Sequence, residues 1–110
     1  MITNLNYLKT MSGGDSAFIM EMINLFIEQV QEYSALMPAL LEEKKWEDLG
    51  KLAHKAKSSV AVMGMNETAD LLKEMEILAR EAKDVERYPD MVAQFLANCS
   101  QAITELQKSN

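Results

Sequence analysis

His54 is the only histidine of this 110-residue chain, and it lies in the stretch LAHKAKSSVAVMG, residues 52–64. The apolar residues of this stretch recur at helical spacing. At about 100° per residue, His54 falls roughly 140° away from the apolar stripe. A lone histidine on a helix is more often packed in a core, but this spacing predicts a ring on the outer face.

The helical neighbours of His54 are mostly small. Positions three, four and seven residues away are adjacent on a helix surface, and here they hold Gly50, Lys57, Ser58 and Ala61. Glycine inside a helix costs about 1 kcal/mol relative to alanine, and a partner that approaches the backbone closely would favour small side chains. We therefore predict a docking face of Gly50, Ser58 and Ala61, although the glycine alone fits an accident of sequence equally well.

An exposed imidazole without further ligands has few reactions open to it. One histidine cannot supply a multi-ligand metal site in a bundle, and the outer face of a helix offers no substrate pocket. A neutral imidazole can, however, accept a phosphoryl group on a ring nitrogen. Lys57, one turn further on, would then pair with the phosphoryl oxygens, and the Ser58 hydroxyl would add a hydrogen bond. Without His54 nearby, Lys57 would be read as a solvated surface lysine.

The first half of the chain predicts two helices. Residues 4–11 favour a short helix, and Asp15 caps a long one over residues 16–44, which Pro38 should kink or break. One arc of the long helix is predicted to face the core: Phe18, Met22, Leu25, Phe26, Gln29, Tyr33 and Leu36.

The second half predicts three more helices. The helix with His54 ends at Gly64, Asn66 is a suitable cap for the next, and Pro89 fits the first turn of the last. Each shows an apolar stripe, and Cys99 lies in the last of these as a small core residue. Short links between long amphipathic helices predict an all-α fold, an antiparallel up-and-down four-helix bundle with a short N-terminal helix. Residues 1–110 are expected to form a single, monomeric domain.

Composition excludes several functions. A net charge of −6 argues against binding to nucleic acid or anionic lipid. No stretch has the pattern of a secretory leader or the length of a membrane span, so we expect a cytoplasmic protein. A single cysteine cannot form an internal disulfide, and no Cys/His cluster indicates a metal site.

The residues around His54 resemble the motif of histidine-containing phosphotransfer domains, the relay modules of two-component signalling. The motif is carried here by His54, Ala56, Lys57, Ser58, Ser59 and Gly64. Ala56 stands where the family usually has leucine, and Ser58 where it usually has glycine. Neither change removes a chemical group that phosphotransfer needs.

The resemblance implies a phosphoryl carrier. It would accept a phosphoryl group from the aspartyl phosphate of one receiver domain, in a response regulator or hybrid histidine kinase, and pass it to another. The Mg²⁺ and acidic cluster would belong to the receiver, so this chain would need no cofactor and would not itself be an enzyme. The sequence agrees in having no Gly-rich nucleotide loop.

Two features of the sequence fit more than one interpretation, and two rival functions are considered. If the helix with His54 and the next one form an antiparallel hairpin, Glu76 lies level with His54 and Arg80 one turn past it. Arg80 would then contact phosphate, and Glu76 would accept a proton from the ring. Both residues also fit ordinary surface charges. Met20, Ile23 and Ile27 form an extra apolar stripe that would dock a partner or lie under the N-terminal helix. The rival functions are a helical interaction module, with His54 incidental, and a small metal-dependent enzyme.

Overall fold

Residues 1–108, the part of the chain that this computed structural model describes, contain five α-helices and one short 3₁₀ turn. The helices are α1 (Asn6–Ser12), α2 (Ser16–Glu42), α3 (Trp46–Val62), α4 (Asn66–Glu81) and α5 (Tyr88–Lys108), and the 3₁₀ turn is Val85–Arg87. The described part contains no strand, and α2 to α5 form the bundle. The predicted all-α bundle with a short N-terminal helix is therefore confirmed.

The side of α2 that faces the core differs from the predicted arc. Its buried residues recur at helical spacing: Ile23, Phe26, Val30, Tyr33 and Met37. Leu25 and Leu36, which were predicted to be in the core, are 43% and 41% exposed. Ile23, predicted in an outer stripe with Met20 and Ile27, is a core residue. Phe26 and Tyr33 are buried as predicted, so the arc was wrong only in part. Because α2 is apolar around much of its circumference, periodicity alone does not fix its rotation.

Pro38 does not break α2. The helix continues through it to Glu42, so of the predicted alternatives, a kink or a break near Met37, the break does not occur. Pro38 and Ser34, whose carbonyl would have accepted the missing N–H bond, are both exposed. Water can therefore satisfy that carbonyl, which lowers the cost of proline within a helix.

Helices α3 and α4 form the most extensively packed pair of the bundle. The buried face of α3 is rich in alanine, which lets two helices approach closely. The turn between them places Gly64 in the left-handed region, at φ +71°. The residue that caps α4 is Met65, without a side-chain hydrogen bond, so the prediction of Asn66 as the cap was wrong. Asp15 caps α2 as predicted, accepting from the amides of Ala17 and Phe18.

The N-terminal residues 2–5 form a strap across one end of the bundle. The amide of Asn4 donates to the carbonyl of Met63 at 2.9 Å. The amides of Ile2 and Thr3 and the Thr3 hydroxyl donate to the Glu105 carboxylate of α5 at 2.9–3.0 Å. The strap thus ties the turn after α3 to the end of α5.

Helix α5 begins with Tyr88 and contains Pro89 in its first turn, as predicted. Cys99 lies in the core, and burial raises the pKa of its thiol to about 12. Across residues 1–108 the chain has no helix with the length and apolar character needed to cross a lipid bilayer.

Candidate functional site

One carboxylate gathers three cationic or imidazole side chains in the middle of the α3–α4 pair. Glu76 of α4 lies 3.0 Å from Nδ1 of His54, 3.1 Å from Nζ of Lys57 and 3.1 Å from a guanidinium nitrogen of Arg80. His54 and Lys57 come from successive turns of α3, and Glu76 and Arg80 from successive turns of α4. We call these four residues the Glu76 cluster.

The two oxygens of Glu76 have different partners. Oε1 accepts from Lys57, whereas Oε2 faces both His54 and Arg80. Burial raises the pKa of Glu76, but the hydrogen bonds and charges of Lys57 and His54 outweigh it and hold that pKa below its usual value. The carboxyl group is therefore ionised at neutral pH, and an ionised carboxylate only accepts hydrogen bonds.

This charge state fixes the tautomer of His54. Since Glu76 can only accept, Nδ1 carries the proton and donates it, which leaves the lone pair of the neutral ring on Nε2. No residue in the described part of the chain hydrogen-bonds Nε2, and the His54 side chain is 60% exposed. The cluster therefore presents a nucleophilic ring nitrogen to solvent.

The outward direction of His54 is as expected from the helical pattern, but Gly50 is not on the same surface. Gly50 is buried against α4, and a Cβ there would lie 3.2 Å from Cγ of Arg80 and 3.5 Å from Cβ of Ala79. The prediction that it forms part of an exposed docking face was therefore wrong. At its position in the bundle, the outer flank of α3 is covered by the side chain of Arg80, which a helical wheel of α3 alone cannot reveal.

Ser58 and Ala61 are exposed, and they border two shallow depressions next to α3. One, of about 190 Å³, lies between α2 and α3 and includes Met22, Leu25 and Ser58 in its lining. The other is lined by Tyr7, Ser58, Ala61 and Val62. We call the surface formed by Tyr7, Met22, Leu25, Ser58 and Ala61 the α2–α3 groove.

Sequence reasoning missed three residues of this groove. Met22 and Leu25 were assigned to the core, and Tyr7 was not considered. No pattern in α2 separates Leu25 from the residues that are buried, because its exposure depends on how α2 is rotated against α3. A hydrogen bond of 2.8 Å between the Tyr33 hydroxyl and Oγ of Ser59 contributes to that orientation.

Within residues 1–108, no group of three or more histidine, cysteine or acidic side chains is arranged to hold a metal ion. The Glu76 cluster itself consists of an imidazole, a carboxylate and two cations.

Comparison with known proteins adds one finding. A family model described as Hpt domain matches residues 21–109, a segment that includes α3, α4 and the whole Glu76 cluster. Comparisons with curated proteins and with solved structures gave no match.

Proposed function

The chain belongs to the Hpt domain family, whose members carry phosphoryl groups in phosphorelays, and we propose that its phosphoryl acceptor is Nε2 of His54. One observation above all supports Nε2 of His54 as the acceptor atom. Glu76 holds the proton on Nδ1, so the exposed Nε2 keeps the lone pair that a nucleophile needs.

The transfer step follows from this geometry. The Nε2 lone pair attacks the phosphorus of an aspartyl phosphate on a receiver domain, the N–P bond forms, and the bond from phosphorus to the aspartyl oxygen breaks. The aspartate leaves as a carboxylate. The ring, still protonated on Nδ1, becomes cationic, and the ionised Glu76 stabilises that charge from 3.0 Å. Transfer to a second receiver is the same step in reverse.

The two cations of the cluster suit the phosphoryl group. Lys57 is 30% exposed and Arg80 is about half exposed, and both are held beside the ring by Glu76. Their charges would offset the negative charge that a phosphoryl group brings to Nε2. Lys57 therefore has the role of electrostatic support, and Arg80 that of a second phosphate contact.

The receiver would dock on the α2–α3 groove. Hpt domains interact with receiver domains, and this groove is an exposed apolar surface that begins one turn from His54. The small side chains of Ser58 and Ala61 leave room for a partner on the α3 side of the groove, while Leu25 supplies exposed apolar area. A receiver seated here would bring its aspartyl phosphate over the ring.

Incubation with a phosphorylated receiver tests the acceptor. The parent chain should gain phosphate that is labile in acid and stable in base, and His54→Gln should gain none while keeping its helical CD spectrum. Because His54 is the only histidine, no second imidazole can replace it. Phosphate on the His54→Gln variant, or none on the parent with any receiver tried, would contradict the proposal and leave a helical interaction module.

A pair of arginine variants tests the docking face. Ala61→Arg places a long side chain in the α2–α3 groove, whereas Ala97→Arg places the same one on the exposed face of α5. We expect receiver-dependent transfer to fall about tenfold or more in Ala61→Arg, which corresponds to about 1.4 kcal/mol, because a bulky charge obstructs the approach of the receiver. Phosphorylation by phosphoramidate, which needs no docking, should be unchanged in both. Equal receiver-dependent rates would place the docking face elsewhere.

A further inference from the structure

Gly50 stands where a glycine is costly and no turn requires one. It lies within α3, and glycine in a helix interior is less stable than alanine by about 1 kcal/mol. Gly50 is also buried, and α4 packs over it. Its lack of a side chain therefore affects the contact between α3 and α4.

Three atoms of α4 surround the position where a Cβ would lie. Cβ of Ala79 and the backbone oxygen of Glu76 would be 3.5 and 3.4 Å away, which are ordinary van der Waals distances. Cγ of Arg80 would be 3.2 Å away, which is tighter. The helix backbones therefore have room for a methyl group here, and the Arg80 stem is what a side chain would displace.

The route of this stem determines where the Arg80 charge lies. From Cγ beside Gly50, the side chain reaches Oε2 of Glu76 at 3.1 Å, the same oxygen that accepts from Nδ1 of His54. Both bonds converge on one oxygen, so the guanidinium nitrogen and the ring nitrogen lie within about 6 Å of each other. The Arg80 side chain thus lies across the surface of α3, with its guanidinium close to the His54 imidazole.

We propose that Gly50 is a positioning residue: its missing side chain lets the Arg80 stem lie across α3, so that the guanidinium is seated on Glu76 beside His54. This inference rests on the proposed function for its effect on phosphotransfer. A side chain at residue 50 would push the guanidinium away from the phosphoryl site without touching the imidazole.

The test is a double-mutant cycle on phosphorylated protein prepared with phosphoramidate. Gly50→Gln and Arg80→Ala should each shorten the half-life of phosphorylated His54 by about threefold, the size expected for a half-exposed ion pair. In the double variant, Gly50→Gln should add nothing, because the arginine through which it acts is absent. Lys51→Gln puts the same side chain one residue away on the exposed face and should match the parent. Independent, multiplying effects of the two changes would overturn the proposal.

Two further measurements keep the inference testable on its own. Gly50→Ala, which needs a shift of only a few tenths of an ångström, should give a smaller effect in the same direction if Gly50→Gln fails to fold. In the unphosphorylated protein, ¹⁵N NMR should show slow rotation of the Arg80 guanidinium in the parent and fast rotation in the Gly50 variants. If a receiver does not phosphorylate His54, the proposed function fails, but the NMR result still supports the role of Gly50 in placing Arg80. Unchanged rotation of the guanidinium in the Gly50 variants would overturn that role.

Discussion

Gly64→Ala should destabilise the bundle more than any other glycine-to-alanine change at a left-handed turn of this chain. Gly64 has a φ of +71°, and a Cβ there would lie 2.1 Å from the backbone oxygen of Asn4 and 2.7 Å from its Cβ. These are backbone and near-backbone atoms of the strap, so no side-chain rotation relieves the collision. The strap itself must move.

The magnitude follows from a comparison with Gly13. Gly13 has nearly the same φ, +67°, but a Cβ there meets nothing within 4 Å. Alanine at Gly13 therefore carries only the left-handed strain, about 1 kcal/mol, partly offset by the lower entropy of the unfolded chain. Alanine at Gly64 adds the loss of the bond from Asn4 to Met63, about 1 kcal/mol, and the partial exposure of apolar strap residues, about 1 kcal/mol more. We expect it to cost about 2 kcal/mol beyond Gly13→Ala.

Urea and thermal unfolding followed by CD measure the difference. Gly64→Ala should melt about 10 °C below Gly13→Ala, because 1 kcal/mol shifts the Tm of a domain of this size by about 5 °C. Amide exchange at Asn4 should accelerate in Gly64→Ala and stay unchanged in Gly13→Ala. Equal free energies of unfolding in the two variants would mean that the strap does not press on Gly64.

Three further predictions concern single side chains. The amide of Ile2, with further donors from Thr3, lowers the pKa of Glu105 to about 2. The ionised Glu105 carboxylate therefore stabilises the fold at pH values above its unfolded pKa, and this stabilisation is lost as the pH falls. In urea unfolding, the difference in free energy of unfolding between the parent and Glu105→Gln should narrow between about pH 4.5 and pH 2. Cys99, with its pKa raised to about 12 by burial, should react with iodoacetamide at pH 8 only as fast as the bundle opens, and rapid labelling of the native protein would contradict this. Lys57→Ala should slow phosphorylation of His54 about tenfold through loss of a charge-assisted contact, whereas Lys55→Ala, which removes an equal charge paired with α2, should leave the rate unchanged.

The helices and the outward direction of His54 were predictable because both depend on local periodicity. The short apolar stripe on α3 identifies its buried side, and the link between α3 and α4 is short enough to bring Glu76 level with His54. The Glu76 cluster could therefore be predicted in part from the sequence. His54 and Lys57 were predicted as site residues, whereas Glu76 and Arg80 also fitted ordinary surface charges.

Features that depend on the partner helix were not predictable in the same way. Gly50 is covered by a side chain from α4, and the exposure of Leu25 depends on the rotation of α2. Pro38 was expected to kink or break α2, because the propensity rule carries no information on whether the freed carbonyl faces water. In each case the deciding quantity is a tertiary contact or its absence, and a single-helix pattern does not contain it.

The strap also brings the two ends of the described chain together. Ile2 binds Glu105, one turn before α5 ends, and Asn4 binds the end of α3. That end of the bundle is about 15 Å along α3 from His54, at 1.5 Å per residue. Domains whose ends are adjacent tolerate insertion and circular permutation. A linker of a few residues could therefore join the ends of this bundle, with new ends opened at the turn after α4, and the imidazole would keep both its carboxylate and its open approach.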